Sequence, residues 1–127
     1  MMELVHRNLR ILVVEDHADT AAALVNLLTE MGHEVTLAGT VAEALAADAR
    51  EPIELVVSDI GLPDGSGDQL MRELVARHGL RGIAVSGLDM DEDRQRSLAA
   101  GFSLHLTKPV NVQALQEALA AAAAARH

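Results

Sequence analysis

The sequence has no cysteine, no tryptophan and no tyrosine, and Phe102 is its single aromatic residue of the Phe/Tyr/Trp set. Without cysteine there is no disulfide framework, no thiolate zinc site and no thiol nucleophile. With the aromatics gone, the interior must be built from Leu, Val, Ile, Ala and Met. Positive charge is scarce too: 10 Lys and Arg stand against 19 Asp and Glu, for a net charge of −9, and Lys108 is the only lysine. A surface this acidic excludes nucleic-acid binding by this domain, because phosphate backbones need clustered basic residues. It equally argues against contact with an anionic membrane. No apolar run approaches the length that spans a bilayer. The N-terminus lacks the regions of a signal peptide, so a cytoplasmic location is expected.

What the chain does have is alternation. Leu9 to Val14 is an apolar run that ends in Glu15-Asp16. Ala18 to Met31 carries Leu24, Leu27, Leu28 and Met31 at helical spacing and stops at Gly32. A short strand is predicted over Glu34 to Leu37. Thr40-Val41-Ala42-Glu43 reads as a capping box for a helix running to about Arg50. Ile53 to Ser58 is a β-branched strand ending at Asp59, followed by a loop with Gly61, Pro63, Gly65 and Gly67. The next helix carries Leu70, Met71, Leu74 and Val75 and stops near Gly79. Gly82 to Ser86 is a fourth strand, Asp89 to Ala100 a helix ended by Gly101, and Leu104 to Leu106 a fifth strand. Asn111 caps a last helix with Leu115 and Leu119 on one face. The pattern predicts an α/β fold: a single doubly wound parallel sheet of five strands with five helices, in one domain over residues 1–127.

Four of these strands end in a polar group: Glu15-Asp16 after the first, Asp59 after the third, Ser86 on the fourth and Lys108 after the fifth. Ligands of open α/β sheets bind outside the carboxyl ends of the strands. With a flavodoxin-like strand order 2-1-3-4-5, all four positions converge there. Glu15, Asp16 and Asp59 then bring three carboxylates together. Two unit charges about 5 Å apart repel by roughly 3 kcal/mol at an effective dielectric near 20. A hard divalent cation with oxygen ligands, Mg²⁺, answers that repulsion and can orient a phosphoryl group. Lys108 adds a second positive charge, and the Ser86 hydroxyl can donate to a phosphoryl oxygen. Asp59, directly at the end of a central strand, is the expected nucleophile. Asp64 and Asp68 are expected to shape a loop and a helix start.

At this point the chain resembles the receiver domain of two-component response regulators. The stretches that carry the resemblance are Ile11-Leu12-Val13-Val14-Glu15-Asp16, Ser58 to Gly67, Val85-Ser86-Gly87 and Thr107-Lys108-Pro109. Together they span a core of about residues 9–122, and the resemblance extends to the receivers of hybrid histidine kinases. The resemblance implies that Asp59 is phosphorylated by a histidine kinase or histidine phosphotransfer protein with Mg²⁺ assistance, and modulates partner binding. It implies Asp16, Asp59 and the backbone carbonyl of Gly61 as Mg²⁺ ligands, with Glu15 acting through water. Ser86 becomes the switch hydroxyl, and Lys108 the partner of the carboxylate or phosphoryl group. Such a domain catalyses only its own phosphorylation and dephosphorylation, so it is not an enzyme with a separate product.

One position departs from the family. Three residues before the lysine, where Tyr or Phe is usual, stands His105, which is smaller, polar and titratable near neutral pH. The alternative reading is therefore a receiver-fold interaction module with weak or no phosphorylation-dependent switching. A small phosphohydrolase with an aspartyl nucleophile would need a second aspartate where Gly61 stands. The resemblance implies that Gly61 and Leu88 flank the site at positions that influence dephosphorylation. On the first helix, Ala18, Ala22 and Val25 form a mild apolar stripe which, with Pro109 and Val110, is the expected docking face for the phosphodonor.

Overall fold

The computed structural model describes residues 8–87 and 91–124. Five strands form one parallel sheet: β1 (Arg10–Val14), β2 (Glu34–Ala38), β3 (Leu55–Asp59), β4 (Arg81–Ser86) and β5 (Leu104–Thr107), in the order β2-β1-β3-β4-β5. Five helices alternate with them: α1 (Ala18–Glu30), α2 (Val41–Arg50), α3 (Gly67–His78), α4 (Asp91–Ala100) and α5 (Val112–Ala124). The predicted fold class and strand order are what the structure has. An element the sequence reading treated as plain loop is a small antiparallel hairpin, Gly61–Leu62 against Gly65–Ser66.

Side chains alternate across a strand, so a strand covered on both faces must be apolar at every position. In β1, Ile11 and Val13 pack with Leu24 and Leu28 of α1 and with Leu115 and Leu119 of α5, whereas Leu12 and Val14 belong to the opposite cluster. That second cluster contains Ala44 and Ala47 of α2, Leu70, Met71 and Leu74 of α3, and Phe102. The single aromatic is thus spent on the core.

Local signals account for the boundaries. Thr40 Oγ1 accepts from Glu43 N, as a capping box requires, but Glu43 reaches back to Gly39 N rather than to the cap residue. The start of α2 gains a further clasp from a distant loop, where the Asp64 carboxylate accepts from Val41 N and Ala42 N. Asp64, in the turn of the small hairpin, therefore also fastens the start of α2. Asn111 Oδ1 accepts from Ala114 N at α5, as expected. The glycines marked as helix stops, Gly32, Gly79 and Gly101, all have positive φ, which residues with a Cβ rarely adopt. Leu27 and Met31 are half-buried rather than fully enclosed, and Val75 is exposed at the rim of α3. The expected start of the fourth helix at Asp89 lies outside the described residues, as does Leu88.

His33 fastens the loop before β2. The backbone N–H of Leu9 donates to its Nδ1 at 3.0 Å, which requires Nδ1 to be unprotonated. Burial holds the ring's pKa below the ordinary histidine value. Folding therefore favours the neutral ring: its contribution is complete above about pH 6.5 and is lost as pH falls through the lowered folded value. Between pH 7.5 and 5.5, wild-type protein should lose about 0.5–1.5 kcal/mol more unfolding free energy than His33→Asn, whose acceptor oxygen does not titrate. Urea titrations at the two pH values measure the difference, and parallel losses in the two proteins would refute the role given to His33.

Candidate functional site

The alternation that builds the core also aims the polar groups at the strand ends. Glu15 follows Val13 by two residues, Asp59 follows Val57 and Lys108 follows Leu106. All three apolar predecessors belong to the α1/α5 side of the sheet. Glu15 N donates to Ala38 O and Lys108 N to Ser86 O, so the parallel ladder carries on for one step beyond β1 and β5. Glu15, Asp59 and Lys108 therefore leave the sheet on the same face.

Their contacts follow from that placement. Lys108 Nζ lies 2.9 Å from Glu15 Oε1 and 3.3 Å from Asp59 Oδ2. Glu15 is buried, and its other oxygen accepts from the backbone and ring nitrogens of His17 at 3.1 and 3.0 Å. Asp59 Oδ1 accepts from Ile60 N at 2.7 Å. Asp16 is more open to solvent. The Lys108–Pro109 peptide is cis.

The two buried carboxyls are held differently. For Asp59, burial pushes the pKa above the ordinary aspartate value, and repulsion from Glu15 adds to it. Lys108 and the Ile60 N–H oppose the rise without cancelling it. Burial pushes Glu15 upward too, but hydrogen bonds from Lys108 and His17 outweigh it, and its pKa is lowered. Burial alone would depress Lys108. Its bond to Glu15 and the charge of Asp59 reverse that, so the ammonium is firmly charged.

The backbone under Asp59 is packed against a glycine. A Cβ on Gly67 would stand 2.1 Å from Asp59 O and 3.0 Å from Ser58 Oγ, while Gly67 N donates to Ile60 O at 2.7 Å. The sequence reading took Gly67 only as a loop residue. It also passed over His17, although that residue directly follows the acidic pair. Gly61, by contrast, is exposed with open space where a Cβ would be.

Ser86 belongs to the other side of the sheet, in step with Ala84. It is buried and lines a cavity of about 280 Å³ between α3 and α4, together with Asp68 and Ser97. His105 has the same parity, opposite Ala84 in β5, and is half-buried. Asp68, in the first turn of α3, is buried. Of the expected docking residues, Ala18, Ala22 and Pro109 are exposed and Val25 is half-buried, while Val110 packs against the core.

Comparison with known proteins places the sequence and its fold. The sequence model of the response regulator receiver domain matches residues 11–120. The chain belongs to the response regulator receiver domain family. The receiver is 41% identical over 104 residues to an uncharacterized 14.6 kDa protein from Leptolyngbya boryana, covering 80% of this chain and 79% of that one. It is 31% identical to the sensor histidine kinase RcsC of Salmonella typhi, with 89% of this chain matched to 12% of the kinase. A CheY-like receiver domain structure from Methanospirillum hungatei JF-1 superposes with a TM-score of 0.82 at 33% identity, covering 89% of this chain and 91% of that one. The receiver thus spans about one-eighth of the length of RcsC. Among the described residues, no helix is long and apolar enough to cross a membrane.

The raised pKa of Asp59 has a consequence for stability. The folded state holds this proton more tightly than the unfolded chain does, so the ionised carboxylate costs folding free energy once pH exceeds the folded value. Without divalent ions at pH 7, Asp59→Asn should be about 0.5–2 kcal/mol more stable than wild type. The gain should fade as pH drops toward about 4. Urea unfolding across that range measures it, and a less stable Asn variant at pH 7 would contradict the electrostatic account.

Proposed function

We propose that this receiver, a single unit with its core over residues 9–122, is the phosphoacceptor of a two-component phosphorelay and that Asp59 accepts the phosphoryl group. The observation that carries the reading is the Lys108 ammonium seated between the Glu15 and Asp59 carboxylates at the carboxyl edge of the sheet. A carboxylate oxygen of Asp59 attacks phosphorus, an acyl phosphate forms, and the donor's nitrogen or oxygen leaves with the electron pair of the broken bond. Lys108 would then pair with the new phosphoryl oxygens, and Gly61 leaves one side of the pocket open. The domain acts only on itself, so no separate product pool is turned over.

The residues present fit a divalent cation. One ligand atom from each of Glu15, Asp16, His17 and Asp59 lies within 4.8 Å of the others, and one ammonium does not balance three carboxylates. Asp16, Asp59 and the Gly61 carbonyl would hold Mg²⁺, with Glu15 linked through water, because its oxygens already serve Lys108 and His17. Bound Mg²⁺ supplies charge neutralisation and orientation of the transferring group. We assign the message to Ser86 and His105, which share the α3/α4 side of the sheet. His105 in place of a large ring supports a smaller rearrangement on phosphorylation than a ring would give.

We take the donor to be a histidine kinase or histidine phosphotransfer protein in the cytoplasm. It would dock on Ala18, Ala22 and Val25 of α1 together with Pro109 and the half-buried Val110. The similarity to the hybrid kinase RcsC supports such a partner. The alternative, a receiver-fold interaction module with weak or no phosphorylation-dependent switching, is less well supported: the Lys108 contacts to Glu15 and Asp59 favour the phosphoacceptor reading.

Incubation with acetyl phosphate and Mg²⁺ should add one phosphoryl mass to wild type and none to Asp59→Asn by intact-mass spectrometry. No adduct on wild type, or an equal adduct on both, would overturn the proposal. Val25→Glu should slow transfer from a phosphohistidine donor about tenfold, the effect of losing one interface anchor. Its labelling by acetyl phosphate should stay at the wild-type rate. Equal losses in both assays would remove the docking face from α1.

A further inference from the structure

The acidic cluster contains one donor that is not an oxygen. His17 occupies the N-cap of α1, where Ser, Thr, Asp or Asn ordinarily bond the first turn, yet its side chain makes no capping bond. The ring turns back to the strand end instead, with Nδ1 3.0 Å from Glu15 Oε2 and 3.5 Å from Asp16 Oδ1. One ligand atom from each of His17, Glu15, Asp16 and Asp59 lies within 4.8 Å of the others. Donors around one small ion stand up to about 4.2 Å apart, twice a metal–ligand bond of about 2.1 Å. The remaining gap is small for a ring whose side chain is 70% exposed and not locked by packing.

The kind of donor decides which ion benefits. Carboxylates, carbonyls and water suit Mg²⁺, whereas imidazole suits Zn²⁺ and other borderline transition metals. A site made of oxygens alone offers no nitrogen contact to distinguish them. We infer that His17 is a specificity-determining ligand, giving the Asp59 cluster a nitrogen donor through which it takes Zn²⁺ by a contact that Mg²⁺ does not use. The inference rests on reading this cluster as a divalent-cation site. Both ions require Asp59, so they compete, and His17 sets how far the competition favours Zn²⁺. An ion held by His17 also claims the ring that otherwise supports Glu15. Zn²⁺ thus displaces one hydrogen-bond partner of Glu15, which Mg²⁺ leaves intact.

The test is calorimetric titration of the metal-free protein with Mg²⁺ and, separately, with Zn²⁺. It compares wild type with His17→Ala and with His17→Asn, which restores an ordinary helix cap. Zn²⁺ held by the other histidines is common to all three proteins and cancels in the comparison. Loss of a direct ligand should weaken Zn²⁺ at the cluster at least about tenfold in both variants, with Mg²⁺ affinity within about twofold of wild type. Unchanged Zn²⁺ affinity, or an equal loss for both ions, overturns the inference while leaving the Mg²⁺ reading standing. Asp59→Asn should weaken both ions. Wild-type protein that binds Mg²⁺ no better than Asp59→Asn would instead remove the divalent site itself, and the inference with it.

Discussion

A single ammonium group, that of Lys108, joins two carboxylates at the carboxyl edge of the sheet, 2.9 Å from Glu15 and 3.3 Å from Asp59. Lys108 is the only lysine in the chain. It is sufficient for one carboxylate and insufficient for two. Glu15, with His17 as additional support, is held ionised, while Asp59 remains the group whose charge the fold resists. A carboxylate kept ionised at some cost, beside an open approach at Gly61, gains from any incoming species that brings positive charge or removes negative charge.

The sheet divides the labour. Groups two residues beyond Val13, Val57 and Leu106 emerge on the α1/α5 side, where Glu15, Asp59 and Lys108 meet. Ser86 and His105 have the opposite parity and face the side of α3 and α4. A one-residue slip in any strand would exchange the two sets. The continuous apolar runs of β1 and β3 that secure both faces of the core thus also keep Glu15, Asp59 and Lys108 on one face and Ser86 and His105 on the other. The α4 helix buries little beyond Ser97 and Ala100, and Leu98 is exposed. It is the lightly packed element next to Ser86, and elements with few buried contacts are those that move at small cost.

Much of this was legible in the sequence. Period-2 and period-3.6 patterns marked five strands and five helices, and the strand-end positions of Glu15-Asp16, Asp59, Ser86 and Lys108 pointed to one edge. The missing parts are those that depend on three-dimensional approach. Gly67 looked like a loop glycine, because its closeness to the Asp59 carbonyl exists only after the hairpin folds. The clasp of Asp64 on α2 links residues more than twenty apart. His17 was overlooked because an exposed histidine at a helix start carries no pattern of its own. Its meaning comes from the ring turning toward Glu15 instead of capping. Val110, like Val25, is half-buried, a depth that a single apolar residue after proline does not reveal.

The central claim is that the fold leaves Asp59 under-compensated so that a cation can complete the site. Thermal unfolding of wild type and Asp59→Asn over a Mg²⁺ series tests it most directly. Binding to the folded state alone stabilises by about 2.7 kcal/mol at a hundredfold excess over Kd. Wild type should therefore gain with Mg²⁺ until it overtakes the Asn variant, which should gain little. If Mg²⁺ raises both melting temperatures equally, the cation is not completing the Asp59 site and the account fails.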